Sequence, residues 1–161
     1  MNKLDEPIIL DEADKILLQI LQDDFPLTTR PWDTLAKGLG TTTEDVMRRV
    51  KRLKEKGVIR RIGPVLETDR VGLTARTLVL MKVPPEKMEE VAGIVNGFKE
   101  VTHNYERDHE YNLWFTLITP NQKRLKEALA SIIDTTGIPR DDVLDLPVTE
   151  RYKIGVRYKF R

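Results

Sequence analysis

The residues best suited to chemistry lie in one short stretch of the chain. Residues 103–109 read His-Asn-Tyr-Glu-Arg-Asp-His and include both histidines of the sequence. In an extended strand alternate side chains share a face, so His103, Tyr105 and Arg107 are expected on one side. Histidine exchanges protons near neutral pH and can ligate iron, tyrosine can donate a proton, and arginine holds a carboxylate by two parallel hydrogen bonds. This face therefore predicts a site that binds and protonates an anionic substrate.

The segment that follows is strongly apolar and indicates that the polar strand lines a cavity. Residues 111–118 read Tyr-Asn-Leu-Trp-Phe-Thr-Leu-Ile, with aromatic side chains on both faces of a predicted strand. Such a strand is not expected to pair with a fully solvated one. Four more residues of this hairpin are candidates for substrate contact: His109, Tyr111, Asn112 and Trp114. The alternative is a surface hairpin with a local Glu106–Arg107 ion pair and a Trp114 that only fills the core.

Basic residues elsewhere in the chain are candidates for the same anionic ligand. Arg60 and Arg61 precede a Gly-Pro pair, and Arg151 and Lys153 lie in the segment Glu-Arg-Tyr-Lys-Ile-Gly. For each of them a solvated surface charge is the alternative. The glycines form no phosphate-binding motif, and no nucleotide fingerprint or Ser-His-Asp array is visible.

The first part of the chain has the element order of a winged helix-turn-helix. Capping boxes begin a first helix at Asp11 and a third at Thr42, and Pro31 opens a second. Gly57 ends the third helix, and residues 58–66 predict a strand. Three helices followed by a strand are typical of a winged helix-turn-helix domain, which we assign to residues 1–68.

The second part, residues 69–161, predicts a ferredoxin-like sandwich and makes the whole chain an α+β protein. Strands and helices alternate as β-α-β-β-α-β. The predicted ranges are 76–83, 86–96, 100–107, 111–118, 121–134 and 143–154. Residues 156–160 alternate apolar and basic side chains, which predicts an added edge strand.

Composition excludes several classes of function. The 161 residues contain no cysteine, which excludes disulfides, thiolate metal sites and cysteine nucleophiles. No apolar run reaches the ~18 residues of a membrane span, and an acidic start without a signal-peptide core predicts a cytoplasmic protein. Residues 1–68 hold 12 basic and 12 acidic side chains, and Glu44 and Asp45 begin the third helix. This charge balance predicts a helix-turn-helix that serves as a scaffold and does not bind DNA.

The layout of the chain resembles the Lrp/AsnC family, in which a helix-turn-helix precedes a ligand-sensing, oligomerising sandwich. Three segments are more similar to the siroheme decarboxylase subunits of that superfamily: residues 57–66, residues 103–107 with 111–116, and residues 150–156. The resemblance implies a non-redox carboxy-lyase that removes CO₂ from two acetate side chains of siroheme. The product, didecarboxysiroheme, would serve an alternative route to haem or the haem of a nitrite reductase.

The resemblance also implies partners and residue roles. No added cofactor is expected, because iron enters as part of the siroheme, and a related second subunit or self-association is expected. His103 or Tyr105 would supply the proton, and Arg107 would bind a carboxylate. Other carboxylates would be held by Arg60, Arg61, Arg151 and Lys153. His103, or less favourably His109, would ligate the substrate iron. Two alternatives stay open: an Lrp/AsnC-type DNA-binding regulator with a ligand-sensing domain, and a subunit that binds a tetrapyrrole without catalysis.

Overall fold

The computed structural model describes residues 8–152, 155 and 157–160. Of these residues, 8–64 form one compact unit with 155 and 157–160, and residues 65–152 form another. The C-terminal segment is thus grouped with the N-terminal helices, whereas the predicted domain boundary after residue 68 stays a prediction. No helix in the described part of the chain is both long and apolar enough to cross a membrane.

The first unit contains three helices that begin where local sequence signals predict them. They are α1 (Glu12–Asp23), α2 (Pro31–Gly38) and α3 (Thr43–Glu55). The Asp11 side chain accepts a hydrogen bond from the backbone N–H of Asp14, and the Asp14 side chain accepts one from Asp11, which confirms the capping box of α1. The Thr42 side chain caps α3 by accepting from Asp45. A core of mainly leucine and valine side chains, including Leu17, Val46 and Leu53, joins the helices.

The predicted wing strand is wrong. Residues 58–66 form no strand. The backbone N–H groups of Val58 and Ile59 both donate to the carbonyl of Leu53 at the end of α3, so they are not available to a strand partner. The helix-turn-helix prediction is confirmed, without its wing.

The predicted edge strand at residues 156–160 is also wrong over the part that the structure describes. Residues 157–160 contain no strand, and Val156 lies outside the described residues. The Gln22 amide of α1 replaces a strand partner: it donates to the carbonyl of Tyr158 at 2.9 Å and accepts from its N–H at 2.8 Å. Phe160 packs against the helical core, so this segment belongs to the first unit.

The second unit is a four-stranded antiparallel sheet with two helices, and it confirms the ferredoxin-like prediction. The strand order is β2-β3-β1-β4. Its elements in chain order are β1 (Ala75–Met81), α4 (Met88–Asn96), β2 (Val101–Glu106), β3 (Leu113–Thr119), α5 (Gln122–Thr136) and β4 (Val143–Pro147). Both helices pack on the sheet face that carries Val79, Leu113, Phe115 and Leu117.

The other face of the sheet carries neither helix of the second unit; we call it the open face. Strand register places Leu144, Leu80, Trp114 and Tyr105 in one row across all four strands. The next row contains Leu146, Leu78, Thr116 and His103. The side chains of Tyr105, Leu144 and Leu146 are 49%, 38% and 45% exposed. The open face therefore leaves large apolar side chains in contact with solvent.

Candidate functional site

Strand pairing places two of the predicted catalytic residues on the open face. His103 lies opposite Thr116 and Tyr105 opposite Trp114, after a bulge in β2 between Val101 and His103. The intervening Asn104 points the other way and donates to the backbone carbonyl of Ala92 in α4. The alternation expected from the sequence therefore holds along the described strand.

Arg107 completes a compact group with aromatic side chains of both strands. The rings of His103 and Tyr105 stack with their centroids 6.3 Å apart. The guanidinium carbon of Arg107 lies 5.0 Å from the Tyr105 ring centroid and 6.0 Å from that of Trp114. A cation over aromatic faces is held in place but keeps its N–H donors for a ligand. The structure thus brings His103, Tyr105, Arg107 and Trp114 together.

The tip of the hairpin extends this group. The His109 ring meets the Trp114 ring edge-on at 6.2 Å and lies 6.3 Å from the Tyr111 ring. The indole N–H of Trp114 donates to the carbonyl of Tyr111 at 2.6 Å. We use the name aromatic arc for six residues: His103, Tyr105, Arg107, His109, Tyr111 and Trp114. Along one line it offers flat apolar surfaces, a guanidinium group and two imidazoles.

Two charged residues beside the arc were not found from the sequence. The Lys82 ammonium lies 4.8 Å from the Tyr111 ring centroid and forms an ion pair with Glu110. The hydrogen bond from Lys82 holds the pKa of Glu110 below its usual value, and Glu110 in turn raises the pKa of Lys82. Lys82 follows β1, so only the pairing of β1 with β3 identifies its neighbours. Lys82 adds a second cation to this side of the arc.

Both polar atoms of the Asn112 side chain are hydrogen-bonded to backbone groups of Val83. Its Oδ1 accepts from the N–H of Val83 and its Nδ2 donates to the carbonyl of Val83, both at 2.8 Å. The side chain therefore ties the hairpin tip to the chain just beyond β1. Its predicted role in substrate binding stays a prediction, and the contacts describe a residue that positions the tip.

The structure does not bring Arg151 to the arc. Its guanidinium pairs with Glu67 at 3.2 Å and with Asp69, and Asp69 also pairs with Arg76. Arg76 and Arg151 line a polar cavity of about 370 Å³. Arg76 is the second residue of β1. The hairpin tip is tied to Val83, just beyond the opposite end of that strand and about 20 Å away at the usual rise per residue. Lys153 lies outside the described residues.

Arg60 and Arg61 belong to the first unit. Both are exposed, and they line a groove of about 290 Å³ with apolar side chains that include Leu21, Ile59 and Phe160. Their predicted role in binding carboxylates stays a prediction.

The arginines of α3 are engaged by carboxylates. Arg49 binds Asp11, Asp45 and the wholly buried Asp14, with shortest N–O distances of 2.7–2.9 Å. Arg52 also pairs with Asp14. Hydrogen bonds from Arg49 hold the pKa values of Asp11 and Asp45 below their usual range. These arginines connect α3 to α1, so they are not free for a phosphate backbone.

Comparison with known proteins assigns the family. Residues 14–60 match the siroheme decarboxylase NirDL-like HTH domain, and residues 70–153 match the AsnC-like ligand binding domain. The chain is 40% identical to the siroheme decarboxylase alpha subunit of Desulfovibrio desulfuricans over 93% of its own length and 84% of that protein. The chain belongs to the siroheme decarboxylase family. A second member, the siroheme decarboxylase NirD subunit of Pseudomonas aeruginosa, is 37% identical over 92% of this chain and 96% of that protein.

A solved structure of the siroheme decarboxylase family has the same fold. It is the siroheme decarboxylase NirDL in complex with an iron-uroporphyrin III analogue, 35% identical with a TM-score of 0.63. The match covers 84% of this chain but only 44% of that one. This member of the siroheme decarboxylase family is therefore more than twice as long as the part that matches.

Proposed function

We propose that this chain is a subunit of an enzyme that decarboxylates two acetate side chains of siroheme to give didecarboxysiroheme. The observation that carries the proposal is the aromatic arc, in which the Arg107 guanidinium lies over the neighbouring rings of Tyr105 and Trp114. Siroheme is a flat macrocycle with apolar faces and many carboxylates. Aromatic faces with interleaved cations are the complement of such a ligand.

The residues of the arc suit the bond changes of this reaction. The bond between the carboxylate carbon and the methylene carbon breaks, CO₂ leaves, and the electron pair stays on the methylene carbon. One proton then converts that carbon to a methyl group, so no oxidant is consumed and no added cofactor is proposed. His103 or Tyr105 supplies this proton, and His103 is also the candidate ligand of the substrate iron. Arg107 holds a carboxylate and fixes the orientation of the ring.

Two cations lie beside the aromatic rings of the arc. The Arg107 guanidinium carbon lies 6.0 Å from the Trp114 ring centroid, and the Lys82 ammonium lies 4.8 Å from the Tyr111 ring centroid. Cations fixed near a departing carboxylate hold it in one orientation, and they do not need to reorganise during the reaction. Glu110 pairs with Lys82 and fixes the position of its ammonium group beside the Tyr111 ring.

We further propose that a related second subunit covers the open face. The relatives are named as subunits, and the NirDL chain has room for a second unit of similar size beyond the matched part. Two sheets pack face to face at about 10 Å, which would bury the exposed Leu144 and Leu146. A partner seated there would also close the arc from solvent, because Tyr105 and His103 share that face. A cytoplasmic location stays a prediction.

The test is anaerobic incubation of the purified chain with siroheme, alone and with a co-encoded related subunit, followed by mass spectrometry of the tetrapyrrole. We expect loss of two CO₂ units, and loss of this activity in His103→Ala or Arg107→Gln. Lys123→Ala, an exposed residue of α5, is the matched control and should keep full turnover. Spectral change without mass loss would instead indicate a binding subunit. No change in either measurement would contradict the proposal and favour the regulator, which at present has less support.

A further inference from the structure

We infer that the two histidines have different roles: His109 is held in the tautomer that presents Nε2–H as a donor to a substrate carboxylate, which leaves iron ligation and proton transfer to His103. The assignment of the ligand rests on the proposed function. The assignment of the tautomer rests on the hairpin alone.

Hydrogen bonds fix the backbone of the hairpin tip that carries His109. The N–H of Arg107 donates to the carbonyl of Asn112 at 2.8 Å, and the N–H of His109 donates to the carbonyl of Arg107 at 3.0 Å. The Asn112 side chain ties this tip to Val83. The ring of His109 therefore sits on a fixed backbone, beside the indole of Trp114.

One contact decides which ring nitrogen of His109 carries the proton. The backbone N–H of Tyr111 donates to Nδ1 of His109 at 3.0 Å. A backbone N–H is always a donor, so Nδ1 must offer its lone pair. The proton of the neutral ring then lies on Nε2, which has no lone pair left for a metal. Nε2–H is a hydrogen-bond donor and matches a carboxylate oxygen.

His103 is not constrained in this way. Its Nδ1 lies 3.2 Å from the hydroxyl of Thr102. A hydroxyl can donate or accept, so this contact persists with either tautomer and with the imidazolium. Either ring nitrogen of His103 can therefore carry a proton, and the other can offer its lone pair to iron, while the contact with Thr102 is kept. At His109 a free lone pair for iron arises only where the hydrogen bond from Tyr111 is lost.

The tautomer is tested without any substrate. Nitrogen-15 NMR of the ring nitrogens, in protein labelled at histidine and at a pH where the rings are neutral, should show His109 with its proton on Nε2. Spectra of His109→Gln and His103→Gln assign the signals. A His109 ring protonated on Nδ1 would overturn the inference, whatever the chain does with siroheme.

The role is tested by siroheme binding, followed by absorption spectroscopy. His109→Phe should weaken the dissociation constant by about 10- to 100-fold, the effect of losing a hydrogen bond to a charged group, and His109→Gln, which keeps an N–H donor, should restore most of it. At saturating siroheme neither variant should shift the absorption bands, whereas His103→Phe should. Equal affinity of the Phe variant, or a band shift in either His109 variant, would overturn the assigned role. Failure of every variant and the unaltered chain to bind would contradict the proposed function and the ligand assignment, and would leave the tautomer to the NMR result.

Discussion

The side chain of Asn112 offers a direct test of whether a residue positions the site or binds substrate. Asn112→Ala removes two hydrogen bonds of 2.8 Å and leaves the N–H and C=O of Val83 without these partners. Val83 is only 3% exposed, so water replaces the amide poorly. Each lost bond contributes about 0.5–1.5 kcal/mol, and an unsatisfied buried group costs about 1–3 kcal/mol. We therefore expect the free energy of unfolding of the second unit to fall by about 2–4 kcal/mol.

Urea-induced unfolding followed by tryptophan fluorescence measures this change. Trp114 reports on the second unit, because its indole N–H donates to Tyr111 in the same tip. A Trp32→Phe background removes the signal of the first unit. Asn96→Ala is the matched control, since Asn96 is exposed and its side chain accepts one hydrogen bond, from the Asn104 side chain. This substitution should change the free energy of unfolding by about 0.5 kcal/mol or less. A stability loss in Asn112→Ala no larger than that of the control would refute the positioning role, and weaker siroheme binding at unchanged stability would restore the role of a substrate ligand.

Three further predictions concern the first unit. Asp14→Ala should lower its stability by about 3 kcal/mol, because it removes a buried carboxylate and half of a capping box, and Trp32 fluorescence during urea unfolding measures the loss. Stability should be full above about pH 4 and fall as pH drops through the lowered pKa values of Asp11 and Asp45. Arg49→Met should flatten this acid dependence in unfolding curves, and an unchanged pH profile would exclude Arg49 as its cause. A gel-shift assay at low salt should show no promoter binding, because the α3 arginines are paired, and a salt-sensitive shift would contradict this.

Local signals in the sequence predict the elements well, but not the partners of polar side chains. The capping box of α1 and the proline of α2 are short-range features, so the predicted helices are found in the structure. Strand alternation likewise places His103 and Tyr105 on one face. Residues 58–66 have the composition of a strand, yet a strand also needs a hydrogen-bonded neighbour, which no local pattern supplies.

The contacts that shape the site join distant positions. Asn112 meets Val83 across 29 residues, and Lys82 meets Glu110 across 28. Arg151 pairs with Glu67, which lies 84 residues earlier in the chain, and the sequence alone does not reveal this pairing. A residue type suggests chemistry. Whether its hydrogen-bond donors are available to a ligand depends on the register of the sheet and on which distant residues the fold brings beside it.

The hydrogen bonds between Gln22 and Tyr158 have a consequence for how the chain is made. The helices of the first unit leave the ribosome before the entire second unit, and residue 158 follows 136 positions after Gln22. The core of α1–α3 can form early. The packing of Phe160 on that core and the hydrogen bonds between Gln22 and Tyr158 form only after the sheet has been synthesised. The second unit is in effect inserted into the first. A chain whose synthesis stops within the sheet would therefore have the three helices but not residues 157–160, which pack against them.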